Sequence, residues 1–278
     1  MIAIGAGSSA VAEQTQIQCT NVRRVFPALR GRAEVVGLGD FTLTIQRNEI
    51  VVVLGPSGCG KSTILNLVAG FDAPTSGTIM LEGTRVVEPG PDRGVVFQDY
   101  ALFPWLTVKQ NVEFGLKERG LPRADSSKQA QEYLELVGLH GFEQRWPHEL
   151  SGGMRQRVAL ARVFAIHPKI LLMDEPFAAL DAQTRTLLQR ELLRIWQHEK
   201  HTVLFVTHSV EEAIFLAHRI VLLTARPGTV KEIVPIDLPF PRNPTSEAFN
   251  ALRERVTISI EEEVGKVLRR GGADAYAM

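Results

Sequence analysis

The stretch "EIVVVLGPSGCGKSTILNLVAG", Glu49 to Gly70, decides the fold. It opens on a short β-branched apolar run, passes through a glycine-rich middle and ends with the pattern of a helix. Its middle, "GPSGCGKST" from Gly55 to Thr63, fits G-x-x-x-x-G-K-[ST]. Strand, glycine loop and helix in that order make a cradle for phosphate groups. Glycines let successive backbone N–H groups converge on phosphate oxygens, and the helix start adds a positive dipole end. In this reading Gly55, Pro56, Ser57, Gly58, Cys59, Gly60, Lys61, Ser62 and Thr63 surround the phosphates. Lys61 acts as a point charge on the outer ones, and Ser62 offers its hydroxyl to Mg²⁺. A glycine turn without a ligand leaves the ordered sequence of strand, motif and helix unexplained. For Cys59, the lysine and the helix start favour the thiolate and hence alkylation; the plainer reading is a small side chain at a tolerant position.

Working outward, "GDFTLTI", "GVVFQ", "KILLMDE", "TVLFVTH" and "RIVLLTA" repeat the short β-rich run and alternate with helical patterns. Several are apolar throughout, as in parallel strands covered on both faces, so the class is α/β. Strand signals stop between Gln98 and Ala165, where patterns such as "SSKQAQEYLELVGL" predict a helical subdomain inserted at about residues 99–165. From Ser246 the spacing Phe249, Leu252, Val256, Ile260, Val264, Val267 predicts an amphipathic helix, capping the sheet domain or meeting a partner. Residues 1–16, small and polar, read as a disordered tail, 17–245 as the main domain and 246–278 as the C-terminal helix and tail. No repeat of solenoid or propeller period is visible.

Composition narrows the partners. The 278 residues carry 31 basic and 31 acidic side chains, which cancel, so no global field draws the chain onto nucleic acid or an anionic membrane. The longest apolar runs fall far short of the roughly 18 residues of a spanning helix. Two cysteines, Cys19 and Cys59, point to a reducing compartment.

"ILLMDEP" places Asp174 and Glu175 where an apolar strand ends, the edge at which α/β sheets bind ligands. Asp174 fits the Mg²⁺ shell, leaving Glu175 to orient or deprotonate an attacking water. His208 ends "TVLFVT" and Gln98 follows "GVVF", with the same placement. Taken alone, each is more often structural than catalytic. "LSGGMRQR", Leu150 to Arg157, sets Ser151, Gly152 and Gly153 ahead of a helical pattern, a second anion-holding helix start in one chain.

Together "GPSGCGKST", "VVFQ", "LSGGMRQR", "ILLMDEP", "ALD" and "VTHSVEEA" resemble, in order and spacing, the ATP-binding cassette family. The resemblance covers Val22 to the end of the sheet domain. "LSGGMRQR" is similar to the family's signature, with Met154 where glutamine is commonest. The resemblance implies a P-loop NTPase (RecA-like) parallel-sheet core with an antiparallel portion and an inserted helical subdomain. It implies an ATPase coupled to transport, with ATP and Mg²⁺ as cofactors. It further implies a head-to-tail homodimer, each ATP lying between the lysine loop of one subunit and the signature of the other. Under it Asp181 is a cross-interface contact, Gln98 the sensor facing the transporter and a Mg²⁺ ligand, Glu175 the catalytic carboxylate, and His208 the switch on the γ-phosphate. An aromatic residue before the first strands stacks on adenine in such proteins, and Phe26 is the candidate.

"PGPDRGVVFQDYALFPWLTVKQNV", "TARPGTV" and "LPFPRNPTSEAFNALRERV" resemble the ATPase subunits of nitrate, sulfonate and taurine importers, with His218 replacing a common aspartate. That subgroup implies integral membrane permease subunits as partners, indirectly a solute-binding protein, and a peripheral place on the cytoplasmic side of the inner membrane. The end of the chain soon after the amphipathic helix predicts a bare motor subunit. "DYALFPWLTV" crowds Tyr100, Phe103 and Trp105 around Pro104, either as core of the helical subdomain or as an exposed seat for a membrane subunit. Two other functions compete. A non-transport cassette ATPase on nucleic acid or ribosomes fits poorly with one cassette and no basic stripe, and a small-molecule kinase has no use for the second glycine motif.

Overall fold

The computed structural model describes residues 15–28, 34–178 and 180–275, with the backbone alone from 268. The expected tail, 1–16, lies outside the described residues as far as 14, and its last two residues already belong to strand β1 (Thr15–Phe26). The chain forms two compact units, Met1–Gly90 with Thr202–Met278, and Pro91–His201.

The first unit holds two sheets. One is antiparallel, in the order β2 (Val35–Gln46), β1, β4 (Ser76–Leu81), β5 (Thr84–Arg85). In β2 the period of two is plain: Phe41, Leu43 and Ile45 are buried, while Asp40 and Thr42 face out. In the other sheet β3 (Ile50–Leu54) runs parallel to both β8 (Thr202–Thr207) and β9 (Arg219–Leu223), and β10 (Val230–Pro235) runs antiparallel to β9. All five side chains of β3 are fully buried. A strand flanked in-plane and covered on both faces must be apolar throughout, and each such side chain contributes about 1.5 to 3 kcal/mol. At the far end of the strand the backbone N–H of Ile50 donates to His218 Nδ1 at 3.0 Å, while the N–H of His218 donates to the Ile50 carbonyl at 2.8 Å. The residue that replaces the common aspartate thus supplies an acceptor to the strand start. Helix α1 (Lys61–Ala69) follows β3 and stops at Gly70, whose φ of 82° turns the chain away.

The C-terminal helix of the first unit, residues 247–275, meets the expectation over half its length. Phe249 and Val256 are fully buried and Leu252 and Ile260 partly so, but Val264 and Val267 are exposed. At that level Glu263 takes the inward position, because the helix there meets a backbone N–H rather than apolar side chains.

In the second unit β6 (Arg93–Val96) and β7 (Ile170–Asp174) pair in parallel, Val96 opposite Met173. Between them the chain is turns and helices: α2 (Val108–Glu118), α3 (Arg123–Leu136), a 3₁₀ turn at Pro147–Glu149 and α4 (Gly152–Ala165). Helix α5 (Ala182–Glu199) follows β7. Two further helices complete the chain, α6 (Val210–Leu216), which lies in the first unit after β8, and the C-terminal helix, α7 (Glu247–Ala275). A capping box opens α2, with Thr107 Oγ1 accepting from the Gln110 N–H at 3.3 Å and Gln110 Oε1 accepting from the Thr107 N–H at 2.9 Å.

One turn further, Asn111 is 0% exposed and fully used. Its Oδ1 accepts from the Phe103 N–H at 2.8 Å, and its Nδ2 donates to the carbonyls of Phe103, Leu106 and Thr107 at 3.0–3.1 Å. One buried amide therefore shapes the aromatic turn. Asn111→Ala removes the acceptor of the Phe103 N–H and the side-chain donor to the Leu106 carbonyl, while the Phe103 and Thr107 carbonyls keep the N–H groups of Leu106 and residue 111, and it is expected to lower unfolding free energy in urea by about 1 to 3 kcal/mol.

Candidate functional site

In the first unit the phosphate loop leaves the end of β3. Cys59 N–H donates to the Pro56 carbonyl at 3.3 Å, and the chain enters α1 through Gly60 at φ 100°. That left-handed conformation suits glycine, and the site is also crowded: a Cβ there would stand 2.7 Å from the Gly37 carbonyl oxygen. No side chain caps α1, so its first N–H groups stay directed at the loop. Lys61, 7% exposed, donates from Nζ to the carbonyls of Gly55 at 2.9 Å and Pro56 at 3.2 Å. The ammonium is held inside the loop's own curve. Ser62 is exposed in the first turn, as a hydroxyl serving a bound cation must be.

The same unit brings His208 to the loop. Leu54 pairs with Thr207, so His208, exposed, follows its strand where Gly55 follows β3. Thr207 Oγ1 donates to the buried Glu212 carboxylate at 2.6 Å and accepts from the Ser209 N–H at 3.0 Å, fixing the bend that carries His208. Phe26 is near the loop by a different route. Its ring lies on Gly37, where a Cβ would stand 2.5 Å from Cε2, and Gly37 is the residue that Gly60 touches. The guanidinium of Arg24 stacks 5.1 Å from the Phe26 ring centre.

Of the two readings of Cys59, its surroundings fit the plainer one. It is 1% exposed, and burial raises its thiol pKa more than the Lys61 charge and backbone hydrogen bonds lower it. Its contribution to the loop is its backbone.

In the second unit β6 and β7 end side by side. Past the last pair, Val96 with Met173, the chain turns on both strands: Gln98 follows β6 by two residues, Asp174 ends β7 and Glu175 follows it. Gln98 is exposed, and both carboxylates are half-buried. Glu175 has φ 46°, a conformation uncommon for a side-chain-bearing residue. The bend continues with the Ala178 N–H donating to the Glu175 carbonyl at 3.1 Å.

The signature stretch begins α4. Ser151 is the N-cap, its Oγ accepting from the Met154 N–H at 3.3 Å. Only the backbone of Met154 takes part, so the exchange for glutamine leaves the cap intact. Gly153 abuts the start of α5, where a Cβ would lie 3.3 Å from Leu180 Cδ2. Asp181 caps α5, accepting from the N–H groups of Gln183 at 3.1 Å and Thr184 at 3.0 Å, and these bonds, Thr184's foremost, hold its carboxyl below the usual range. Sequence reading passed over Arg162 on α4, whose guanidinium donates to the carbonyls of Ala101 at 2.7 Å and Tyr100 at 3.1 Å. The aromatic turn divides: Phe103 packs 4.6 Å from Phe114 and 5.6 Å from Trp105, while Trp105 itself is 68% exposed.

Among the described residues no helix is long and apolar enough to cross a membrane. Residues 38–178 match the family model described as ABC transporter. An uncharacterized ABC transporter ATP-binding protein of Methanocaldococcus jannaschii is 51% identical over 256 residues, 92% of this chain and 95% of that one. The nitrate import ATP-binding protein NrtD of Synechocystis sp. is 48% identical over 254 residues, 91% and 95% of the two chains. The aliphatic sulfonates import ATP-binding protein SsuB of Bacillus licheniformis is 45% identical over 234 residues, 84% and 90%. Among solved structures, a dimeric post-hydrolysis ATP-binding cassette bound to ADP and Pi is 31% identical with a TM-score of 0.73, covering 80% of this chain and all of that one. The fold is that of a P-loop NTPase cassette, and the chain belongs to the ABC transporter family as an ATP-binding ATPase coupled to transport.

Proposed function

We propose that this chain is the motor subunit of an importer for a small anion such as a sulfonate, taurine or nitrate, working through a separate permease. The observation that carries the mechanism is the pair of anion-holding helix starts in one chain, α1 behind Lys61 and α4 behind Ser151. One nucleotide has one phosphate tail, so the second start serves a partner's ATP in a head-to-tail homodimer. A dimeric solved relative and relatives named for nitrate and sulfonate import support that reading.

In this mechanism Lys61 and the backbone from Gly55 to Thr63 bind the phosphates, and Phe26 stacks on adenine. Ser62, Gln98 and Asp174 are the oxygen-bearing side chains assigned to the Mg²⁺ that would arrive with the phosphates. Among the described residues no three His, Cys, Asp or Glu side chains cluster as a metal site, and phosphate-bound Mg²⁺ needs only one or two carboxylates from protein. Held by these residues, the ion would supply charge neutralisation at the phosphate oxygens. Glu175 takes the proton of the attacking water, and His208 steadies the γ-phosphate. Across the dimer Ser151, Gly152 and Gly153 supply donors and Asp181 an interface contact. A charge near a helix end contributes about 0.3 to 1 kcal/mol, whereas one preorganised transition-state donor contributes about 2.7 to 4. The signature therefore gates hydrolysis more than it adds affinity.

The permease contact is assigned to Trp105, a large exposed aromatic on a turn fixed by Asn111. The chain then lies peripherally on the cytoplasmic side of the inner membrane, served indirectly by a solute-binding protein.

Glu175→Gln is expected to bind ATP, lose turnover by about 100-fold or more, and accumulate as a dimer on size exclusion with MgATP. Normal hydrolysis by that variant would remove the mechanism. Trp105→Ala is expected to leave basal ATPase unchanged and to weaken co-purification with the permease; undiminished co-purification would remove the contact.

A further inference from the structure

The C-terminal helix carries a buried carboxylate where an apolar residue would cost less. Glu263 is 1% exposed, while neighbouring Val264 faces solvent. Burying an ion costs several kcal/mol unless its partners are well placed. Here they are: Oε2 accepts from the Ala225 N–H at 2.9 Å, and Oε1 meets Lys266 Nζ at 2.6 Å and Lys231 Nζ at 3.4 Å. Burial alone would raise the pKa, but the hydrogen bonds from Lys266, Ala225 and Lys231 outweigh it and lower it, so the carboxylate is ionised.

Ala225 belongs to a closed turn. The Thr224 N–H donates to the Thr229 carbonyl at 2.9 Å, and Thr224 Oγ1 accepts from the Thr229 N–H at 3.0 Å and donates to the Pro227 carbonyl at 2.9 Å. The far side of the turn is wedged against the phosphate loop. Gly39 N–H donates to the Gly228 carbonyl at 2.8 Å, and a Cβ on Gly228 would overlap the Cys59 carbonyl oxygen. A continuous set of contacts thus runs from α7 through residues 224–229 to the backbone of Cys59, inside one compact unit.

We propose that Glu263 is a positioning residue for nucleotide binding, holding the 224–229 turn against the phosphate loop so that the C-terminal helix sets the affinity for MgATP. The inference rests on the reading of Gly55–Thr63 as the ATP phosphate site. A loop that binds through backbone N–H groups is sensitive to small displacements, because each misaimed donor weakens the contact. The Cys59 carbonyl is where the turn bears on it.

The test uses the full chain, with MgATP binding by calorimetry and steady-state ATPase. Glu263→Ala should raise Kd and KM for MgATP about five- to tenfold while kcat at saturation stays near that of the parent. Glu263→Gln keeps an acceptor for the Ala225 N–H and should restore most of the affinity. Lys266→Ala leaves the Ala225 bond in place and should bind MgATP like the parent. Thr224→Val opens the turn without touching α7 and should raise KM as Glu263→Ala does; it decides the matter if Glu263→Ala does not fold. Parent-like Kd and KM in folded Glu263→Ala, or in Thr224→Val where only that variant folds, would overturn the inference. So would a fall in kcat at unchanged KM. A parent chain that neither binds nor hydrolyses MgATP would instead overturn the site reading beneath it.

Discussion

A phosphate loop works through backbone N–H groups, so its curvature has to exist before any phosphate arrives. In this chain the curve is held from three sides. Gly60 at φ 100° takes the chain into α1 while pressed on the Gly37 carbonyl, Gly228 bears on the Cys59 carbonyl, and Lys61 ties the loop's own Gly55 and Pro56 carbonyls together. Beneath it β3 is locked between β8 and β9 with every side chain buried. The loop is therefore a rigid lining whose donors need little reorganisation, the condition under which electrostatic stabilisation counts most.

The same packing buries Cys59 and raises its thiol pKa. A residue that contributes a load-carrying carbonyl has its side chain turned into the interior, where desolvation outweighs the nearby lysine. Proximity to a positive charge in the sequence is not proximity in an aqueous dielectric. Asp181 lies at the opposite limit: it is solvent-exposed, and its depressed carboxyl pKa owes to hydrogen bonds from the first N–H groups of α5. Both cases separate what a residue's neighbours do from what its burial does.

The strands that carry the site were legible because β3, β7 and β8 are short apolar runs ending in polar residues, and register then brings His208 to the level of the loop, with Gln98 and Glu175 just past the ends of the paired strands β6 and β7. The cassette motifs supplied the roles. Less legible were contacts made by backbone groups. Nothing in "TARPGTV" announces that Gly228 presses on Cys59, since a glycine in a turn reads first as a turn residue. Glu263 was hidden by the stripe Phe249, Leu252, Val256, Ile260, Val264, which carries the eye to Val264 although the helix meets an N–H at that level. Asn111 and Arg162 were passed over for a related reason. Polar side chains on an amphipathic helix are ordinarily solvated, and here they instead bond backbone carbonyls of the aromatic turn, which lies next to Asn111 in sequence and some sixty residues before Arg162.

Those two side chains also bear on how a signal would cross the second unit. Arg162 joins α4 to the carbonyls of Tyr100 and Ala101, and Asn111 joins α2 to the turn from Phe103 to Thr107. Tyr100 and Ala101 have φ of 66° and 44°, so this segment is held in a conformation the chain would not choose alone. The bonds are to backbone, and a backbone carbonyl does not relax by rotamer change as a side chain does. Trp105 therefore sits on a segment bonded to α2 on one side of it and to the helix that begins at Ser151 on the other. An apolar contact in place of Arg162 would pack as well, but it would slide, since dispersion has little directional preference. Directional bonds to backbone groups at both ends of the aromatic turn tie it to α2 at one end and to the signature helix at the other.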